Sequence, residues 1–90
     1  ISEDEFYELS QKNCFYCGYS PSMIKKGCGE GHEFIYNGLD RIDSSKEYTI
    51  DNVVPCCEIC NIAKNDLTLD KFKEWVLRIS AMADQWGQLN

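Results

Sequence analysis

The sequence predicts a small α+β domain organised around a single metal ion. Three observations lead to this fold class: two Cys-x-x-Cys pairs lie far apart, short strand-like runs lie between them, and a long amphipathic helix follows the second pair. The 90 residues are enough for one domain, 1–90, whose apolar core alone would give little stability. A bound metal ion would compensate for that small core.

The cysteine pairs are Cys14–Cys17 and Cys57–Cys60. Each such turn directs two thiolates to one point, and two turns complete the tetrahedron of a structural zinc ion. Two alternatives stay open. One is a disulfide framework, and the other is a local zinc set of Cys14, Cys17, Cys28 and His32. The local zinc set would leave the Cys57–Cys60 pair without a role. Cys56 belongs to neither of the two zinc sets.

Helices are predicted at both ends of the chain. Ser2 and Glu5 have the spacing of a capping box, which predicts a short helix over about 3–12. Thr68 is placed to cap a C-terminal helix over about 69–86. The apolar positions of this helix recur every three or four residues, which predicts that they pack in the core. They are Leu69, Phe72, Val76, Ile79, Ala83 and Trp86.

The middle of the chain predicts a hairpin followed by a helix. Glycines and a proline indicate a loop over residues 20–33, and Asn37-Gly38 is typical of a hairpin turn. Apolar and alternating runs predict the strands 33–36, 39–43 and 53–55, and a helix over about 58–64. The organisation is therefore a cysteine knuckle, strands, a second knuckle and helices.

Three stretches of this sequence resemble the HNH, or ββα-metal, endonuclease family. They are C-F-Y-C-G, L-D-R-I-D and I-D-N-V-V-P-C-C-E-I-C-N-I-A-K, and they fall in the order found in that family. The similarity covers about residues 6–76 and is strongest to phage junction resolvases and small phage-encoded HNH proteins. It implies a treble-clef-like ββα-metal core over about 33–65, and hydrolysis of DNA phosphodiester bonds with Mg²⁺ or Mn²⁺.

The resemblance also implies roles for individual residues. Asp40 and Asn61 match the two ligands of the catalytic ion, and both offer the oxygen atoms that Mg²⁺ prefers. Asn52 matches an asparagine that usually braces the loop, and Lys64 matches a lysine that can approach phosphate. The alternative roles are local: Asp40 could bond its own turn, Asn61 could cap its helix, and Lys64 could be a solvated surface residue. Since Asp40 is outside the cysteine set, its removal is expected to leave the fold intact.

The sequence departs from the family at Arg41, which stands where the family has its general-base histidine. Arginine stays protonated and cannot accept the proton of an attacking water. Asp43 and His32 are the candidate replacements, and Arg41 could instead hold the scissile phosphate.

Three functions are compatible with this pattern: an endonuclease, a catalytically degenerate HNH module that binds nucleic acid or a protein, and a purely structural zinc domain. DNA is the expected partner, although a net charge of −6 is unfavourable for DNA binding. A further domain or basic segment upstream of residue 1 is therefore expected. The free thiols, with no predicted membrane span or signal peptide, predict a reducing, cytoplasmic compartment, compatible with that of a phage host.

Overall fold

A computed structural model describes residues 1–26 and 33–87. The described residues form a small mixed α/β structure with two two-stranded antiparallel sheets and three helices. The elements in chain order are α1 (Glu3–Ser10), β1 (Met23–Lys26), β2 (Glu33–Tyr36), β3 (Gly38–Arg41), β4 (Val53–Cys56), α2 (Glu58–Lys64) and α3 (Leu69–Trp86). No helix in these ranges is both long and apolar enough to cross a membrane.

The predicted capping signals are confirmed at both terminal helices. The Ser2 hydroxyl accepts from the backbone N–H of Glu5, and the Glu5 carboxylate accepts from the N–H of Ser2. Helix α1 nevertheless ends at Ser10, two residues before its predicted end. Helix α3 spans the predicted 69–86, and its cap Thr68 accepts from the N–H of Lys71 at 3.2 Å.

The prediction of an unbroken loop over 20–33 is wrong. Strand β1 pairs with β2, with Met23 opposite Tyr36 and Lys26 opposite Glu33. Pairing explains the difference: β1 lies among glycines and a proline that indicate a loop, and β2 provides the partner that makes it a strand.

The predicted hairpin turn at Asn37-Gly38 is also wrong. The chain passes there from one sheet to the other, because β2 pairs with β1 whereas β3 pairs with β4. The side chain of Asn37 is fully buried and donates to the carbonyl oxygens of Lys12 and Tyr19 at 3.0 and 3.3 Å. Its backbone N–H donates to Ser10 O at 2.8 Å. Asn37 therefore joins the first sheet to α1 and to the first knuckle.

The second sheet and α2 follow the prediction closely. β3 and β4 pair antiparallel, with Gly38 opposite Cys56 and Arg41 opposite Val53. Helix α2 then begins directly after Cys57. The sequence order of a hairpin followed by a helix is thus present, and it places β3 and the knuckle beside the same helix.

The apolar stripe of α3 packs in the core at only one position. Phe72 is buried and packs edge-on against Tyr16, with ring centroids 5.4 Å apart. Val76 is 42% exposed and Trp86 is 54% exposed, so the prediction of a core-facing stripe is wrong at these positions, whereas Ile79 and Ala83 are half-buried. The radius of gyration is 15.7 Å, whereas a compact domain of this length would have about 12 Å. Much of α3 therefore lies outside the packed body.

We expect Phe72→Ala to lower the free energy of unfolding by about 3 kcal/mol, since it empties the contact that attaches α3 to Tyr16. Leu77→Ala is the matched control, because Leu77 is 60% exposed on the same helix. Urea denaturation of the metal-loaded protein measures both variants. Equal losses in the two variants would show that Phe72 is not the attachment point.

Candidate metal centre

The first knuckle is a tight turn closed by backbone hydrogen bonds. The N–H of Gly18 donates to Cys14 O at 2.9 Å, and the N–H of Cys14 donates to Tyr19 O at 2.8 Å. Gly18 has φ of +78°, a conformation that glycine adopts without steric cost. This turn brings Cys14 and Cys17 to the same side of the chain.

The second knuckle lies where β4 ends and α2 begins. Cys57 is the N-cap of α2, and its sulfur accepts from the N–H of Cys60 at 3.4 Å. The two knuckles are joined by the backbone, since the N–H of Phe15 donates to Pro55 O at 2.8 Å. A residue of the first knuckle thus extends the hydrogen bonding of β4.

Four cysteine sulfurs meet between the knuckles. The Sγ atoms of Cys14, Cys17, Cys57 and Cys60 all lie within 4.8 Å of one another. The Cys17 and Cys57 sulfurs are 3.6 Å apart. Tetrahedral zinc with Zn–S bonds of about 2.3 Å requires sulfurs about 3.8 Å apart. The four predicted cysteines therefore come together and could hold a metal ion such as zinc.

The thiols of this cluster differ in acidity. Burial raises the pKa of Cys14, but N–H groups of Cys57, Cys17 and Tyr16 outweigh it and lower that pKa to about 6. Burial and hydrogen bonds with neighbouring thiols raise the pKa of Cys60 above its ordinary value. A bound cation would favour the thiolate form of all four residues, so metal binding should release protons.

The other predicted ligand set includes Cys28 and His32, which lie outside the described residues. Cys56 is buried beside the cluster but is not part of it, and its thiol donates to Cys57 O at 3.3 Å.

A buried polar network lies next to the cysteines. Asp40 Oδ2 accepts from the Tyr16 hydroxyl at 2.6 Å and is 3.0 Å from Lys64 Nζ. Lys64 also donates to Arg41 O at 2.9 Å. Burial and the bond to Asp40 raise the pKa of Tyr16 well above its ordinary value, so this hydroxyl stays a donor. The network connects the first knuckle, β3 and α2.

The position of Lys64 corrects its predicted contact with nucleic acid. No part of its side chain is exposed, so it can be neither a solvated residue nor a direct phosphate ligand in this arrangement. The physical reason is its ion pair with Asp40, since a buried ammonium requires a paired anion.

The remaining site residues of the hairpin have local partners. Arg41 donates to Lys46 O at 3.0 Å, and its guanidinium lies 4.8 Å from the ring centre of Tyr48. Asp43 accepts from both the N–H and the hydroxyl of Ser45. These bonds hold the pKa of the Asp43 carboxyl below its ordinary value, which makes it a weak general base.

Asn52 has the bracing role that the resemblance implies. Its amide nitrogen donates to the carbonyl oxygens of Asp43 and Glu47, both at 3.0 Å, and its side-chain oxygen accepts from the N–H of Asp43. The side chain is nearly buried and closes the loop between β3 and β4. Its predicted catalytic part stays a prediction.

Asn61 lies on α2 three residues before Lys64, and its side chain is exposed. Residues with this spacing share one side of a helix, so Asn61 faces the same general direction as the lysine that contacts Asp40. That the two residues share one ion stays a prediction.

An uncharacterized protein of Acanthamoeba polyphaga mimivirus is similar to this chain. The two are 32% identical over 72 residues, which cover 80% of this chain. The chain spans only 12% of the length of that relative. No family model matches the chain, and no solved structure matches it. The resemblance to HNH endonucleases therefore rests on the sequence motifs alone.

We expect one zinc ion per chain and unfolding when it is chelated, because the free energy of metal binding is also folding free energy here. Cys60→Ser should lose both the metal and the thermal unfolding transition. Cys56→Ser is the matched control, since Cys56 is a buried neighbour outside the cluster. Native mass spectrometry counts the metal. Retention of zinc by Cys60→Ser would contradict the assigned ligand set.

The network also changes the expectation that the fold tolerates loss of Asp40. Asp40→Ala leaves the Lys64 ammonium buried without its anion, which should cost about 3–5 kcal/mol of stability. Adding Lys64→Met should recover part of that loss, and the double-mutant cycle measures the coupling. Asp43→Ala, at a more exposed aspartate, is the control. A coupling near zero would show that the pair does not act as a unit.

Proposed function

We propose that this chain is an HNH-type endonuclease domain that hydrolyses DNA phosphodiester bonds. Asp40 and Asn61 would hold the catalytic Mg²⁺ or Mn²⁺, and the four cysteines would hold a structural zinc ion. The observation that supports this function best is the state of the Asp40 carboxylate, which two partners fix through one of its oxygen atoms.

Both contacts of Asp40 use the same oxygen. Oδ2 takes the hydroxyl of Tyr16 and the ammonium of Lys64. Oδ1 has no hydrogen bond or ion pair with any described residue, and it is not among the buried atoms that lack partners. Among the described residues Oδ1 is thus free of a partner, and Asp40 as a whole is 6% exposed. Mg²⁺ keeps several waters and takes few protein ligands, so a single open carboxylate oxygen suits it.

Burial of the Asp40 carboxylate costs desolvation free energy, which is hard to explain for a residue with only a structural role. Replacing a buried ion pair by apolar side chains is often neutral or even stabilising, so such a pair is weak support for a purely structural function. Asp40 is 6% exposed and Lys64 is fully buried. An oriented carboxylate at the junction of β3 and α2 is easier to explain as a ligand than as a scaffold.

A divalent ion at Asp40 would polarise a phosphate oxygen and stabilise the leaving alkoxide. The identity of the base is a separate question. Arg41 cannot act as one, and its contact with Tyr48 gives it a structural role. Asp43 is weakened by its bonds to Ser45. His32, outside the described residues, stays the remaining candidate among the predicted ones.

A second candidate is a degenerate HNH module that binds nucleic acid without cleaving it. The ion pair at Asp40 favours this function, because the Lys64 ammonium at 3.0 Å already neutralises the carboxylate. A divalent cation would have to bind next to that positive charge.

The proposed setting follows from the same residues. A persistent thiolate site with an additional free cysteine favours a reducing compartment such as the cytoplasm, and a cell infected by a phage or virus provides one. DNA is the proposed partner, and a basic segment elsewhere in a longer protein would offset the charge of −6.

Nicking of supercoiled plasmid with Mg²⁺ or Mn²⁺ tests the enzyme. We expect Asn61→Ala to lower the nicking rate at least about 10-fold while keeping the zinc, since it removes a ligand from an exposed helix position. Ile62→Ala is the control, because Ile62 is also exposed on α2.

Arg41→His separates the two candidate functions, because it supplies the general base that the family has at this position. Equal or faster nicking by this variant supports the endonuclease. If wild type and Arg41→His are both inert with every divalent ion tried while DNA still binds, the degenerate module replaces the enzyme.

A further inference from the structure

A groove of about 470 Å³ lies between α2 and the first half of α3. Its lining combines one aromatic side chain, two cations, one carboxylate and two small or aliphatic residues. These are Ala63, Leu67, Lys71, Glu74, Trp75 and Arg78. None of them belongs to the cysteine cluster or to the Asp40 network.

The two cations of the groove are available to an anion. Lys71 and Arg78 are exposed, and neither forms an ion pair with a described residue, although Glu74 lies between them. They are seven residues apart on α3, which corresponds to about 10 Å along one side of the helix. An extended polyanion can contact both at once, whereas a single small anion cannot.

Trp75 lies between these cations, and its ring is fixed by packing against another aromatic side chain. Its ring stacks on Phe72, with centroids 6.1 Å apart and an angle of 23° between the planes, and Phe72 packs against Tyr16. An aromatic ring that is already fixed loses little freedom when a flat ligand stacks on it. Aromatic side chains beside a positively charged groove are the features with which proteins bind unpaired nucleic-acid strands.

We propose that this groove binds an unpaired segment of a DNA strand. A base stacks on Trp75, and flanking phosphates contact Lys71 and Arg78. The proposal rests on the proposed function in that DNA is the ligand, and it moves the phosphate contact from the buried Lys64 to α3. Ala63 in the lining directly precedes Lys64, so the strand would run beside the helix that contacts Asp40.

The test compares a fluorescent single-stranded oligonucleotide with its duplex at low salt. We expect the single strand to bind more tightly, because a base inside a duplex cannot reach Trp75. Lys71→Ala with Arg78→Ala should weaken binding of the single strand by about 10-fold or more. Lys73→Ala is the matched control: it removes a cation of the same helix that lies on a different groove, beside Phe15 and Val76.

Trp75 provides an independent readout. In a Trp86→Phe background it is the only tryptophan, and its fluorescence should be quenched by the single strand. Trp75→Leu should lower the affinity about 10-fold while the zinc content stays unchanged.

The outcomes separate this proposal from the proposed function. A loss of binding in Lys73→Ala as large as in Lys71→Ala with Arg78→Ala, or binding without quenching of Trp75, would overturn the groove and leave the endonuclease standing if nicking persists. Absence of binding to both oligonucleotides and of nicking would overturn both.

Discussion

Two chain segments that are distant in sequence have to meet at one point, and the cysteine cluster is what makes them meet. The cluster is also the centre of the core, because the buried residues that pack together are Cys14, Cys56 and Cys57, with Tyr16 and Cys60 against them. A core of this kind buries little apolar surface, so the hydrophobic effect alone would not hold it. Bringing thiolates together is unfavourable unless a cation lies between them. A metal ion bound by these cysteines would therefore stabilise the fold to a degree that a larger domain would not need.

Tyr16 links the cysteine cluster to the rest of the structure. It lies inside the first knuckle, so a metal ion bound there would fix its backbone, and its hydroxyl bonds to Asp40. Its ring meets Phe72 and so fixes the start of α3. Loss of a metal ion bound there should loosen both Asp40 and the start of α3, because Tyr16 contacts each of them.

The sequence was informative wherever a local rule decides the structure. The capping residues Ser2 and Thr68, and the paired cysteines, have strong short-range signatures, and they were predicted correctly. The errors lie where the partner is distant. Strand β1 exists through its pairing with β2, and Asn37 bonds to residues 18 or more positions away.

The same limit applies to the candidate site. Tyr16 was not predicted as a partner of Asp40, because nothing in a Cys-x-x-Cys motif indicates where its middle residues point. Lys64 was expected at the surface, and a helical lysine is normally exposed. The burial of Lys64 is explained only by its ion pair with Asp40 on β3. The exposed stripe of α3 has the same origin, since its spacing shows that the face is apolar but not what covers it.

The two cations that could neutralise Asp40 are not equivalent, and their difference bears on both candidate functions. Lys64 is built into the fold and contacts Oδ2, whereas a divalent ion would have to reach Oδ1 from solvent. Because like charges so close together repel, the ion should bind weakly to the free protein. A phosphate of a bound DNA strand would add negative charge beside the ion and so offset its repulsion from Lys64. Metal and DNA should then bind cooperatively, each raising the affinity for the other, as linkage requires. If Asp40 holds the proposed ion, the internal lysine would make it a weak metal site that bound DNA completes.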